Sequence, residues 1–507
     1  MRTQKALKNV LASIGAYIVL IALGLIVRRL FLHQFETELI GYDALLTNIF
    51  DLLSIADLGA DGFFSYRLYH AFAEDDRGQI TKLLSMYRKI YLFMGVVVSL
   101  ICLALFFCLP YIFSGKVNFW SDFRLMYILY SIVATASYFL NYWRTLLVAG
   151  QLEYKCVRIE TAAAVANLIA KTLVLLTVRS YLLYLLINTA TAIIRRILIA
   201  LTAKKEYPFV KPVPVPWSGL RTEDFTEEIR NLLPIKFAGA INGATDSLLI
   251  TLLVDVTTTG LYGNYILIGN YALNGFRRML SPLQASVADL VYKETKDDAL
   301  SLYKMIELIC FIFATMVFSG FAMVFQNAIA VFFGTRYWLS MSFVFSYAVL
   351  GYIAIRSQTA VIFRGCFGEF QIERRFSVVG AAINLLVSVV LLRIWGVTGV
   401  LFGTVIAQLF VWHGRMVIVE KKLFGRPFWT LWCTEVIYFL LACAELGLTW
   451  LALRNVPYSF WNMWIRCFGS VLIPTACNVL IFWHTTAFQD ILFRIKMVLA
   501  KIVENKQ

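Results

Sequence analysis

The sequence predicts an all-α polytopic membrane protein of about fourteen transmembrane helices, and three observations carry the prediction. Hydrophobic residues make up 60% of the 507-residue chain and charged ones 15%, more apolar surface than a water-soluble core can take in. The apolar residues fall in runs such as Val10 to Ile26, Ile90 to Ile112, Leu125 to Leu140, Ile306 to Val324, Val378 to Leu392 and Tyr438 to Leu453. Each is long enough for a helix to cross a hydrocarbon layer about 30 Å thick, where only structures that close their own backbone hydrogen bonds are stable. The pattern of the first half then returns about 219 residues later, with charges at mid-span.

Taken in order, the spans are 9–33, 41–72, 88–113, 122–149, 157–178 and 181–202, then 231–254, 257–292, 303–333, 338–367, 376–393 and 396–419, and last 430–453 and 461–485. The first is too long for a signal-peptide core and lacks a small-residue cleavage signature, so it reads as a true span. Spans five and six, and eleven and twelve, meet at very short turns. Between the sixth and seventh lies the longest hydrophilic stretch, Lys204 to Glu228, stiffened by Pro208, Pro212, Pro214 and Pro216 and only long enough for a connector. Displaced by 219, Gly41 falls on Gly260, Gly115 on Gly334 and Arg196 on Arg415, while Asp75-Asp76 and Asp297-Asp298 fall in equivalent loops and Asn167 finds Asn384 at 217. Six spans is an even number, so both copies enter the membrane from one side and are parallel repeats. The organisation expected is a six-helix lobe over 1–203, a cytoplasmic connector over 204–230, a second six-helix lobe over 231–420, an appended helix pair over 430–485 and a basic cytoplasmic tail over 486–507.

Lys and Arg set the orientation, because cationic loops resist translocation. The Met1 to Lys8 tail, the loops carrying Lys82, Lys155, Lys204 to Arg221, Lys293 to Lys304, Arg374 and Lys421 to Arg426, and the tail after Arg494 fall on one side; the alternate loops hold little beyond Lys116, Arg179, Arg336, Arg393 and Arg454. Both termini are therefore expected in the cytoplasm. The net charge of +15 is largely this topology signal, which suits anionic lipid headgroups and argues against nucleic acid as a partner. Five of the nine cysteines lie inside apolar runs, the four histidines are scattered, and no Walker-type glycine loop, HExxH, GxSxG or kinase signature occurs. The expectation is a protein that is not an enzyme, needs no metal or organic cofactor and does not hydrolyse ATP.

The segment Gly41-Tyr42 through Leu52-Leu53-Ser54-Ile55-Ala56-Asp57-Leu58-Gly59, the acidic loop after span two, Gly150-Gln151-Leu152-Glu153-Tyr154, Asn231-Leu232-Leu233-Pro234 and Gly260-Leu261-Tyr262 together resemble the polysaccharide flippases of the multidrug/oligosaccharidyl-lipid/polysaccharide exporter superfamily. The likeness covers nearly the whole chain. It departs from the family's glycine-rich tract at Asp57-Leu58-Gly59-Ala60-Asp61-Gly62, where Asp61 is an added acid. The resemblance implies alternating access, a lipid-linked oligosaccharide carried across the bacterial cytoplasmic membrane on undecaprenyl pyrophosphate, and glycosyltransferases or a polymerase of the same pathway as neighbours. A monomer is expected.

Pyrophosphate and acidic sugars need fixed cations, and arginine grips phosphate with a planar fork that never deprotonates. Arg277 and Arg278 lie halfway along span eight and Arg356 is central in span ten; Arg144 and Arg364 recur in the cytoplasmic thirds of spans four and ten. Arg28, Arg29, Lys171 and Lys236 complete the candidates, although for Arg28, Arg29 and Lys236 snorkelling to headgroups weighs more heavily. Arg195 and Arg196 read as topology determinants. Asp57 and Arg277 sit at matching depths, so mutual neutralisation competes with a functional role for both. With no nucleotide motif, uphill transport would draw on a proton or sodium gradient. Asp246, beside Gly243, Thr245 and Ser247, is the first candidate coupling acid, with a salt bridge as its alternative, and Asp61 and Glu307 follow; uncoupled flipping is the other route. The rival readings are a drug or organic-cation antiporter of the same superfamily, which should line its path with acids rather than arginines, and a non-transporting multi-span protein of glycan assembly.

Overall fold

The computed structural model of the chain describes residues 2–53, 64, 67–69, 71–72, 74–112, 121–211, 213–215, 223–293, 296–367, 370–419, 421, 423, 425 and 429–504. Among them the long elements are all helices: α1 (Arg2–Gln34), α2 (Thr37–Leu53), α3 (Arg77–Ile112), α4 (Ser121–Leu140), α5 (Tyr142–Ala149), α6 (Glu153–Thr177), α7 (Tyr181–Glu206), α8 (Glu223–Leu253), α9 (Val256–Lys293), α10 (Lys296–Phe332), α11 (Met341–Arg356), α12 (Gln358–Phe367), α13 (Phe370–Trp395), α14 (Val397–Val419), α15 (Trp429–Leu453), α16 (Phe460–Phe482) and α17 (Thr486–Glu504). The all-α polytopic membrane architecture read from the sequence stands. Among the described residues, ten helices are long and apolar enough to cross a membrane. The remaining expected spans fall on α2 and the residues after it, on α8, on the arginine-bearing α9 and on the shorter pair α11 and α12.

The structure differs from the expected boundaries in three places. α8 begins at Glu223, so Pro234 lies inside a helix rather than at its start, and the connector left between α7 and α8 is shorter than 204–230. The fourth and tenth spans are each interrupted, at Asn141 and at Ser357, so that each continues as a separate short helix, α5 or α12. The basic tail is the helix α17, whose sequence alternates apolar Ile491, Leu492 and Ile495 with Arg494, Lys496 and Lys501, the composition of a helix that rests at a membrane surface.

The chain divides into two compact units, one of residues 15–260 and one of 261–507 with 1–14. In the first, α3 packs on α4, α6 on α7, α4 on α7 and α2 on α8. Its core is aromatic: Phe64 stacks on Tyr87, and Tyr87 meets Tyr91 edge-on, each pair with ring centroids 4.5 Å apart. Where α2 meets the residues after α8, a Cβ on Gly41 would lie 2.1 Å from the Val256 carbonyl oxygen, so only glycine fits. That contact supplies a physical reason for the Gly41 noted in the sequence.

In the second unit α10 is the hub. With 67% of its span buried, it packs against α11, α15, α16 and α17. Helices α13 and α14 run nearly in backbone contact, since a Cβ on Gly399 would lie 2.1 Å from the Leu391 carbonyl oxygen and one on Gly403 2.2 Å from the Ser388 hydroxyl. Lipid offers no hydrophobic drive between helices, and close approach through small residues replaces it with dispersion. Polar groups fasten α16 and the tail helix α17 to α10 as well. Arg466 on α16 donates to the Met323 carbonyl of α10 at 3.1 Å, and Ser301 of α10 donates to Asp490 of α17 at 3.1 Å.

Candidate functional site

The first unit holds a cavity of about 490 Å³ lined by Asp43, Thr47, Tyr130, Asn141, Lys171, Asn188 and Arg196, with Phe50, Leu185 and Tyr184 among its apolar walls. Asp43, two residues into the motif that begins at Gly41, accepts from the Tyr130 hydroxyl at 2.7 Å and the Tyr181 hydroxyl at 3.0 Å. Its second oxygen lies 3.8 Å from Arg28. Across the cavity Lys171 of α6 donates to Asn188 of α7 at 2.9 Å and sits 4.2 Å over the Tyr184 ring. Asn167 of α6 hydrogen-bonds to Thr191 of α7 and donates to Asn188 at 3.4 Å. The carboxylate is therefore held by two hydroxyl donors and an ion pair with Arg28, whereas the described lining adds two further cations, Lys171 and Arg196. Such a wall attracts anions.

The second unit carries a different polar centre. Arg356, at the end of α11 and 1% exposed, lies between two buried glutamates: its guanidinium is 2.9 Å from Glu307 of α10 and 2.7 Å from Glu435 of α15. It also donates to the Glu307 carbonyl at 3.2 Å and stacks 4.7 Å from the Tyr438 ring. The fork that the sequence assigned to phosphate engages both glutamates here and ties α15 to α10 and α11. Burial explains the choice of partner, because an unpaired guanidinium in a low-dielectric seam would cost several kcal/mol.

Arg144 and Arg364, matched in the repeat, do corresponding work in their own units. Arg144 of α5 pairs with Glu160 of α6 at 2.8 Å, and Arg364 of α12 pairs with Glu373 of α13 at 2.6 Å. Arg415, the repeat partner of Arg196, reaches the same Glu373 at 3.1 Å. The repeat shows a second time in the membrane interior: Asn167 bonds Thr191 across α6 and α7, and Asn384 donates to Thr404 across α13 and α14 at 2.8 Å. Both helix pairs carry an Asn-to-Thr bond, with the threonine about one turn out of register between the two.

Of the other candidates, Arg277 on α9 and Arg29 on α1 present exposed side chains. Arg278 and Lys236 lie on helical backbone, α9 and α8, with side chains outside the described set. Asp57 and Asp61 fall outside the described residues, and so does the proposed neutralisation of Arg277 by Asp57. Asp246 is 3% exposed on α8 beside buried Thr245 and Ser247, the hydroxyl-rich setting that the sequence suggested. Glu307, a secondary coupling candidate, belongs to the Arg356 triad. Sequence reasoning missed Asp43, Tyr130, Tyr181 and Asn188 as one cluster, and it assigned Arg196 to topology alone. The usable signal was Asp43 beside the Gly41-Tyr42 motif, but nothing in one dimension brings it to Lys171 or Asn188.

The helical architecture is similar to that of solved lipid-flippase and multidrug-transporter structures, one of the latter described as a member of the MOP superfamily. No family model matches the sequence, and no curated protein does. Among solved structures, the lipid II flippase MurJ in an inward closed conformation is 13% identical with a TM-score of 0.68, over 93% of this chain and 99% of that one. An inward-facing multidrug resistance transporter of the MATE family is 12% identical with a TM-score of 0.59, over 79% of this chain and 96% of the other. A transporter of the same superfamily from Pyrococcus furiosus, described as having a binding pocket of reversed polarity, is 12% identical with a TM-score of 0.52, over 80% and 96%. Identities this low carry the fold and leave the cargo open.

Proposed function

We propose that the chain is a flippase that moves undecaprenyl-pyrophosphate-linked oligosaccharide from the inner to the outer leaflet of the bacterial cytoplasmic membrane by alternating access, with both termini in the cytoplasm. The observation that carries this reading is the charge of the first unit's cavity. Among the described residues that line it, Lys171 and Arg196 are two cations against one acid, Asp43, which Arg28 and two tyrosine hydroxyls already engage. A pyrophosphate suits that lining, and an organic cation does not. The exposed Arg277 and Arg29 add to the same preference, since charges inside a membrane protein are costly unless they serve a pathway. Length supports it too: the likeness to MurJ runs over 93% of the chain, whereas the MATE structure leaves about a fifth unmatched, a share comparable with the segment after residue 428. Glycosyltransferases or a polymerase that build and consume the glycan are the natural partners, and the protein works as a monomer among anionic lipids.

Energy enters in this proposal through Asp246, which takes a proton or sodium ion in exchange for cargo. An ion can drive the cycle only if it binds one facing state better than the other. Reconstitution into liposomes with a fluorescent undecaprenyl-pyrophosphate glycan, under an imposed pH or sodium gradient, tests both parts. Movement of the lipid-linked glycan, with no exchange of organic cations, is the expected result; cation exchange without glycan movement would favour the drug-antiporter reading. Asp246→Asn keeps shape and hydrogen-bonding capacity but not charge, and should abolish the gradient response in a folded protein. Equal responses in wild type and variant would remove Asp246 from coupling, and a wild type indifferent to either gradient would mean uncoupled flipping.

A further inference from the structure

We propose that Glu445, Asn478 and Thr315 form an intramembrane proton-binding site where α15 and α16 pack on α10, separate from Asp246 and from the cargo path. The three side chains come from three helices and are 2%, 0% and 0% exposed. The Asn478 amide nitrogen donates to Glu445 Oε2 at 3.3 Å, to Thr315 Oγ1 at 3.0 Å and to the Pro474 carbonyl at 2.9 Å. Three acceptors around one nitrogen fix which end of the amide is which. The Thr315 hydroxyl also lies within hydrogen-bond reach of the Ile312 carbonyl, at 3.0 Å.

Two acceptors in this cluster, Glu445 Oε1 and Asn478 Oδ1, are buried and without a hydrogen-bond partner. They belong to the same two groups whose other ends, Oε2 and Nδ2, already meet. One proton on Oε1 turns that oxygen into a donor, and the partner assigned to it here is Oδ1, the unsatisfied oxygen of the amide whose nitrogen already meets Oε2, which would close a two-bond ring between carboxylic acid and amide. Both orphans are then satisfied by one added hydrogen.

Among the described residues the ionised alternative has no counter-charge. The cations of this unit that lie along the same seam are committed elsewhere: Arg356 to Glu307 and Glu435, and Arg466 to the Met323 and Val456 carbonyls. Among the described residues, the titratable groups that interact with Glu445 are Tyr352 from α11 and Cys477 from α16, neither of them cationic. A bare carboxylate there would cost several kcal/mol, and a neutral acid avoids that cost. The proton therefore holds α16 to α15 and α10.

Infrared difference spectroscopy of the full-length protein at neutral pH, wild type against Glu445→Gln, tests the assignment. Glutamine can present an N–H to Asn478 Oδ1 and accept from its Nδ2, so E445Q should melt at the wild-type temperature while one protonated-carboxyl band per chain disappears. An unchanged carboxyl region would overturn the proposal. So would a melting temperature that sodium raises in wild type but not in E445Q, which would make the site a sodium site. Should E445Q fail to fold, Asn478→Ser removes the amide oxygen and keeps the acid: a shifted protonated-carboxyl band supports the ring, and an unshifted one counts against it.

Discussion

Arg356→Ala is expected to destabilise the protein by about 3–5 kcal/mol, the range for removing one partner of a buried ion pair. The variant would leave Glu307 and Glu435 facing each other with side chains only 9% and 6% exposed and no cation between them. Thermal unfolding in detergent measures the loss. Replacing all three residues together, Arg356→Met with Glu307→Gln and Glu435→Gln, should recover much of it, because apolar or neutral groups of similar size fill such seams at little cost. A variant that melts like wild type yet no longer engages lipid-linked glycan would return Arg356 to the cargo site.

Arg277→Ala should behave in the opposite way. Its side chain is exposed on α9, so the fold should survive, while glycan engagement weakens by about 1.5–3 kcal/mol, the worth of a hydrogen bond to a charged group and roughly ten- to hundredfold in affinity. Arg277→Lys should recover only part, because an ammonium lacks the planar fork. Flipping assays in liposomes alongside melting curves separate the two behaviours. If alanine at Arg277, Arg278, Arg28 and Arg29 leaves glycan movement intact, the cationic-path hypothesis fails. The contrast with Arg356 is instructive, since both are mid-span arginines of one chain and nothing in their local sequence distinguishes the paired one from the exposed one.

Legibility in the sequence followed the range of the interactions. Hydrophobic runs are local, and membrane helices satisfy their backbone within one segment, so helical class and most spans could be read directly. Phase was legible as well: the shift that aligned Arg144 with Arg364 and Asn167 with Asn384 picked out residues that make matching bonds in their own units. Helix interruptions at Asn141 and Ser357 were not legible, because neither residue is a proline or glycine that would announce a break. The acids were harder still. Mid-span position drew attention to Asp246, whereas Asp43, Glu435 and Glu445 take their meaning from partners on other helices.

The sequence by itself determined that this is a helical membrane protein, since that follows from composition and from apolar runs along one chain. Only the tertiary structure decided which charges are buried and paired between helices and which stay exposed. A guanidinium has the same chemistry at Arg356 and Arg277. Its role depends on whether two carboxylates from helices distant in the sequence arrive within 3 Å, and that is settled by packing.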